Sequence, residues 1–177
     1  YKEAVAPHMD ILSEGANVIG AVNTIVRNGD ELKGYNTNAI GIMDALGDAG
    51  FDLEGKSALV VGTGGAAQAA VFILNWQRTP PVFVAGRNAE KTNALVARFG
   101  GQAKELESLA ATPMPVHIVV NTTSVSSPAE APELAAIAQN LDLPDCELVL
   151  DLNYGREQNF WGEMASARNI PFMDGIT

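Results

Sequence analysis

Apolar and polar positions fall into two textures along the chain. From residue 57 onward, short apolar runs alternate with longer segments of helical periodicity. SALVV at 57–61, PVFVAG at 81–86, HIVVNTT at 117–123, ELVLDLN at 147–153 and the residues 170–173 read as buried strands. Between them, 65–76, 89–99, 134–139 and 159–168 read as helices, with a further short helix over 105–111. Strands alternating with helices in this way predict a parallel, doubly wound α/β sheet.

Before residue 57 the pattern differs. Val5, Met9 and Leu12 recur at helical spacing and predict a helix over 3–14. VIGAVNTIVR at 18–27 is apolar and rich in β-branched side chains, and predicts a strand. Asn28-Gly29-Asp30 is a hairpin signal, and 32–35 reads as the returning strand. Thr37 or Asn38 caps a helix over 39–49 that places Ile40, Met43 and Leu46 on one face and stops at Gly50. No internal repeat or low-complexity tract interrupts the chain.

Composition narrows the partners. The 177 residues carry a net charge of −10, with 47% hydrophobic and 18% charged positions. That describes a globular domain, or one domain with part of another. An acidic surface repels nucleic acid and anionic membranes. No apolar run reaches the ~20 residues of a membrane-spanning helix, and no signal peptide is visible. A cytoplasmic setting fits. The single cysteine, Cys146, forms no intrachain disulfide, and with His8 and His117 it lacks the spacing of a metal site. Tyr1 enters what reads as an ongoing element and Asp174-Gly175-Ile176-Thr177 stops without one to close on, so further sequence is expected at both ends.

The sharpest chemical signal lies at the first strand of the alternating region. Gly62-Thr63-Gly64-Gly65-Ala66-Ala67 fits G-x-G-x-x-A between a buried strand and an alanine-rich helix. Gly62 permits the turn, Gly64 lets the backbone approach a pyrophosphate, and Ala67 lets the helix pack close to the sheet. The free N–H groups of the helix start then face the phosphates of a nicotinamide dinucleotide. An NAD site places a carboxylate at the end of the second strand. Here that strand ends Ala85-Gly86-Arg87-Asn88, with Lys91 one helical turn on. Read alone, Arg87 is either a solvated loop charge or a ligand for a 2′-phosphate. Paired with Lys91 it favours NADP.

These segments, with others in the same order, resemble the shikimate dehydrogenase family over nearly the whole chain. Tyr1-Lys2-Glu3 looks like the end of the family's P-x-K segment, Gly20 to Ile25 like its G-A-[VI]-N-T stretch, and Gly34-Tyr35-Asn36-Thr37-Asn38 like G-x-N-T-D. Gly62 to Ala67 looks like its glycine loop, and Arg87 with Lys91 like the basic pair of N-R-T-x-x-[RK]. Asn121-Thr122-Thr123-Ser124 is similar to N-[AT]-T-[SP], Asp151-Leu152-Asn153-Tyr154 to D-x-x-Y, and Asp174-Gly175 to the D-G that begins the return to the first domain.

The resemblance implies a Rossmann-type doubly wound NADP-binding domain over 38–172. It also implies the remainder of an α/β substrate-binding domain over 1–37, with the return to it over 173–177. The implied reaction is reversible reduction of 3-dehydroshikimate to shikimate with NADPH. Lys2 is then the acid/base group, although a lysine at that place would otherwise read as a surface charge. Asn23, Thr24 and Tyr154 are implied substrate contacts. Gly62, Gly64, Gly65, Ala66, Ala67, Arg87, Lys91, Thr123, Ser124, Leu152 and Gly175 are implied cofactor contacts. No metal is implied, and the protein is expected as monomer or homodimer. The family's N-terminal serine pair and its glutamine beyond D-G have no counterpart in these residues.

The chain departs from the pattern in places. Asn38 stands where the family has an aspartate that pairs with the lysine, so the position keeps its shape but cannot take a negative charge. Without that carboxylate the lysine pKa is expected to fall and hydride transfer to slow. Three explanations stand: an engineered substitution, a natural change of substrate or activity, or replacement by another carboxylate, for which Asp44 is badly placed. Thr122 replaces a small apolar residue, Val125-Ser126-Ser127 a glycine-containing turn, and Gly86 an asparagine beside the adenine ribose. Quinate or another polyol acid as substrate, or a catalytically silent binding protein, are the alternative functions.

Overall fold

In the computed structural model, residues 1–175 are described. Residues 176 and 177, the end of the predicted return segment, lie outside the described residues.

Residues 3–14 do not form the predicted helix. Pro7 sits in a single 3-10 turn, Ala6–His8, and the chain then extends into β1 (Ile11–Leu12). A proline inside a helix removes a backbone donor and crowds the preceding turn. The real helix comes later: α1 (Glu14–Ile19) is capped by Ser13, whose Oγ accepts from the Ala16 N–H at 3.2 Å, and is closed by Gly20 at φ 74°. The strand predicted from residue 18 therefore starts only at β2 (Thr24–Asn28). Val5, Met9 and Leu12 still meet, packing on Ala6, Ala16 and Val22. Their spacing marks a small core rather than one helix face.

The predicted hairpin forms. β3 (Glu31–Tyr35) runs antiparallel to β2, with Asn28 opposite Glu31 and Gly29 at φ 63° in the turn. β1 joins it in parallel, giving a three-stranded sheet of order β1-β3-β2. Helix α2 (Asn38–Asp48) follows, rotated from its predicted setting. Ala39, Ile42 and Leu46 face the core, while Ile40 and Met43 point outward at 62% and 39% exposure. The small Ala39 side chain lets α2 close on the next helix, and that choice turns Ile40 away.

The second sheet has six parallel strands. β4 (Ala58–Val61), helix α3 (Gly65–Trp76), β5 (Val82–Gly86), helix α4 (Ala89–Phe99) and β6 (Gln102–Glu105) wind in one direction. The chain then crosses back to β7 (Ile118–Asn121), α5 (Pro132–Gln139), β8 (Leu148–Asp151), α6 (Phe160–Ala167) and β9 (Phe172–Met173). The order is β6-β5-β4-β7-β8-β9. β6 was not legible in the sequence: QAKE is polar and largely exposed, and is held as an edge strand by backbone pairing to β5. It takes Glu105 from the predicted short helix, of which a 3-10 turn at Glu107–Ala110 remains.

Both faces of the sheet are covered, as parallel sheets require. Ala58 and Val60 of β4 point into a core shared with α2, α3 and α4. Leu59 and Val61 point into the other, with α5 and α6. Because β5 and β7 lie on opposite sides of β4, the connections leave in opposite directions at its end. That reversal opens a crevice beyond the carboxyl ends of β4 and β7, where ligands bind in open α/β sheets.

Candidate active site

The crevice is floored by the glycine loop. Gly62 takes φ 122°, which side chains rarely adopt, and its N–H donates to the Ala85 carbonyl at 2.8 Å. A Cβ there would also strike Thr122, whose backbone carbon lies 3.2 Å from its position. Thr122, the departure from a small apolar residue, has its own explanation: its hydroxyl donates to the Val61 carbonyl at 2.8 Å, tying β7 to β4 at the turn. Gly64 precedes α3 in extended backbone with open space above it, which is the room a close ligand needs. No side chain caps α3, so its first N–H groups face the crevice.

Gly65 does something the motif does not announce. A Cβ on it would fall 2.9 Å from Lys2 Cβ and 3.0 Å from Ala21 Cβ. The missing side chain lets the N-terminal residues settle against the glycine loop. Lys2 is fixed there by its backbone, its carbonyl accepting from the Val22 N–H at 2.7 Å. Burial lowers the Lys2 pKa from its ordinary value. The direction is the one expected without the aspartate, though desolvation is the cause found here.

Lys2, Asn38, Gly62, Gly64, Arg87 and Tyr154 line one continuous cleft. Gly65, Ala66, Lys91, Thr123, Ser124, Leu152 and Gly175 border it too. Asn23, Thr24 and Ala67 do not. Ala67 is wholly buried beneath α3, where its small size serves helix packing. Asn23 sits behind the wall, donating to Asn38 Oδ1 at 2.7 Å and accepting from the Thr37 N–H at 3.1 Å. The Thr24 hydroxyl donates to Asn23 Oδ1 at 3.0 Å. These two residues set the orientation of Asn38. Asp44 is exposed and does not reach the cleft.

On the opposite wall lies a polar hub that sequence reasoning did not single out. Asp151 is fully buried. Its carboxylate accepts from Asn121 Nδ2 at 2.8 Å, Ser126 Oγ at 2.6 Å and Asn159 Nδ2 at 2.7 Å. It also accepts from the Asn153 N–H at 3.0 Å and Asn153 Nδ2 at 3.1 Å. Asn121 and Asp151 end neighbouring strands in register, a pairing that signals such a hub. Asn153 also donates to the Thr123 carbonyl at 2.8 Å, so the loops after β7 and β8 form one unit. The turn that replaces the glycine-containing loop is closed by Glu130, which accepts from the Ser126 and Ser127 N–H groups at 3.2 Å and pairs with Arg156 at 3.0 Å. Those backbone bonds lower the Glu130 pKa.

Arg87 and Lys91 stand exposed beyond β5 with no ion pair among the described residues. Asn88, between them, caps α4 by accepting from the Lys91 N–H at 2.9 Å. The described residues hold no cluster of His, Cys, Asp or Glu able to bind a metal, and no helix among them is long and apolar enough to cross a membrane.

Comparison with known proteins identifies a family. Residues 45–158 match the family model described as shikimate / quinate 5-dehydrogenase. The NADP(+) shikimate dehydrogenase of Desulforamulus reducens is 32% identical over 99% of this chain and 63% of its own length. That of Pyrobaculum neutrophilum is 36% identical with the same coverage of both chains. Among solved structures, shikimate dehydrogenase 1 from Peptoclostridium difficile superposes with TM-score 0.83 at 28% identity, over 99% of this chain and 63% of that one. The enzyme of Thermus thermophilus, solved with NADP(H) and shikimate, gives 0.79 at 32% identity, over 99% and 64%. The chain thus spans less than two thirds of the length of these relatives. On its motif order, its doubly wound sheet and this match, the chain belongs to the shikimate/quinate 5-dehydrogenase family.

Proposed function

We propose that this chain carries the NADP-binding unit over 38–172 and one wall of the substrate site over 1–37. The parent activity would be a cytoplasmic NADP-dependent reduction of 3-dehydroshikimate to shikimate. The carrying observation is the packing of Lys2 on Gly65, which sets an amine beside the dinucleotide loop in the cleft that Arg87 and Lys91 border. Relatives named for NADP(+) and shikimate support the reading.

The residues present fit a 2′-phosphorylated dinucleotide: open space over Gly64, an uncapped helix start and two unpaired cations beyond β5. When bound, that group supplies the hydride. The chain does the rest. Thr123, Ser124, Leu152 and Gly175 shape the other side of the cleft. Lys2 Nζ carries the proton that the carbonyl oxygen receives on reduction, and its positive charge stabilises the oxygen as negative charge grows there. Tyr154 offers its hydroxyl to the substrate from the end of β8.

Asn38 limits this machinery. It keeps its bond to Asn23 but gives Lys2 no carboxylate partner. Substrate and cofactor should bind while turnover is slow. That observation also favours a second reading, a binding protein with little catalysis. The test follows NADP+ reduction by absorbance with shikimate and quinate in the full-length protein, with Asn38 and with Asn38→Asp. A rise of about a hundredfold in kcat with shikimate supports the dehydrogenase reading, since a positioned proton-transfer group contributes at least that much. No rise with either acid, alongside retained ligand binding, supports the binding protein.

A further inference from the structure

Position 86 ends β5 without a side chain, and the space beside it is already filled. A Cβ on Gly86 would fall 2.6 Å from Thr63 Cγ2, and Thr63 Oγ1 lies 3.6 Å from the same point. Thr63 comes from a different element, the loop after β4. Its side chain and any side chain at 86 therefore exclude one another. Its hydroxyl makes no hydrogen bond to another described residue, although it lies half-buried in the wall that also presents Arg87 and Lys91. The neighbouring Thr92 hydroxyl is committed, donating to the Asn88 carbonyl at 3.0 Å. A donor left without a protein partner at the strand tip that sets dinucleotide preference is placed to meet a phosphate or hydroxyl on the adenosine ribose.

We infer that Thr63 is a specificity-determining residue: its methyl, seated in the space left open at Gly86, holds the side chain so that its hydroxyl contacts the 2′-phosphorylated ribose alongside Arg87 and Lys91. This rests on the dinucleotide reading above. Threonine at 63 and glycine at 86 then form a complementary pair. A longer residue at 86 would push the hydroxyl out of place.

Calorimetric titration of the chain with NADP+, NAD+ and 2′,5′-ADP tests this without any turnover. Thr63→Val keeps the shape and removes the donor, and should weaken NADP+ and 2′,5′-ADP by about tenfold while NAD+ changes less than about threefold. Thr63→Ser keeps the donor and should stay within about threefold of wild type for all three ligands. Thermal midpoints of both variants near that of wild type establish that the fold is intact. Wild type that prefers NADP+, with Thr63→Val unchanged or losing both dinucleotides alike, overturns the assignment of Thr63 alone. Wild type that binds neither dinucleotide overturns the cofactor reading and this inference together.

Discussion

Asn38 and Lys2 share the cleft without sharing a charge. The lysine is held by its backbone and partly desolvated, so its folded pKa is lowered while its unfolded value stays near the ordinary 10.5. Between those two values the unfolded chain binds more protons than the folded one, so stability rises with pH across that window and the penalty is complete below the folded pKa. Asn38→Asp should raise the Lys2 pKa by supplying the opposite charge, seen by NMR titration of the 13C-methylated amine. A Lys2 value that stays put would show that position 38 does not sense the amine. Asp151 behaves differently because its donors surround it. Asp151→Ala removes the buried acceptor of the Ser126 hydroxyl, the Asn159 amide and the Asn153 N–H, while Asn121 and Asn153 Nδ2 keep the Val125 and Thr123 carbonyls. The loss should be about 3 kcal/mol or more by urea denaturation. A loss below about 1 kcal/mol, the usual net worth of one hydrogen bond, would mean that water replaces the carboxylate.

At the scale of elements, what the sequence made legible follows from what stabilises each element. β4, β5, β7 and β8 draw their stability from buried apolar side chains, and their runs are visible directly. β6 draws its own from backbone pairing to β5 and from Lys104 over the Phe83 ring, and QAKE carries no apolar pattern to read. The region before residue 36 misled for a related reason. Val5, Met9 and Leu12 serve a small core reached by a 3-10 turn and a short strand, so helical spacing was accidental, while Pro7 and the Ser13 cap were the better guides. The glycine loop was legible as the turn between β4 and an uncapped helix start. The role of Gly65 toward Lys2 was not, because it depends on a contact between residues far apart in sequence. The turn over 125–127 belongs to the same scale. Glu130 stabilises it as a carboxylate, and its folded pKa is lowered by the Ser126 and Ser127 N–H groups. That stability is full above the ordinary glutamate pKa near 4.5 and is lost as pH falls through the lower folded value. In Glu130→Gln, the protection factors at Ser126 and Ser127, taken against the intrinsic exchange rate at each pH, should be lower than wild type at neutral pH and should change little on acidification. Wild-type protection factors in the variant would show that Arg156 and the hub hold the turn unaided.

For the whole molecule, the two sheets are joined through Ile19 and Ala21, buried against α2 and α3, and through polar contacts at the edge. Arg98 of α4 is one: its guanidinium donates to the Val18 carbonyl at 2.8 Å, at the end of α1, and lies against Gly20. A cation at a helix C-terminus meets unsatisfied carbonyls and the negative end of the dipole. Arg98→Ala should cost about 1 kcal/mol at most as a partly exposed contact, yet should speed amide exchange selectively over residues 14–28. Uniform protection across both sheets would show that the burial of Ile19 and Ala21 against α2 and α3 joins them without Arg98. Gly65→Val is the complementary change, driving a side chain into Lys2 and Ala21. It should destabilise by about 1–3 kcal/mol through overpacking and displace the amine.

The contact between Lys2 and Gly65 also orders events during synthesis. Lys2 leaves the ribosome before the surface that seats it, which does not exist until the chain has grown past residue 65. At about 5–20 residues per second that wait is roughly 3–13 seconds. During it, the lysine is fully solvated with an ordinary pKa, and the segment around it is open to chaperones and proteases. The seat for Lys2 is therefore absent from the nascent chain and arises only once the glycine loop has formed.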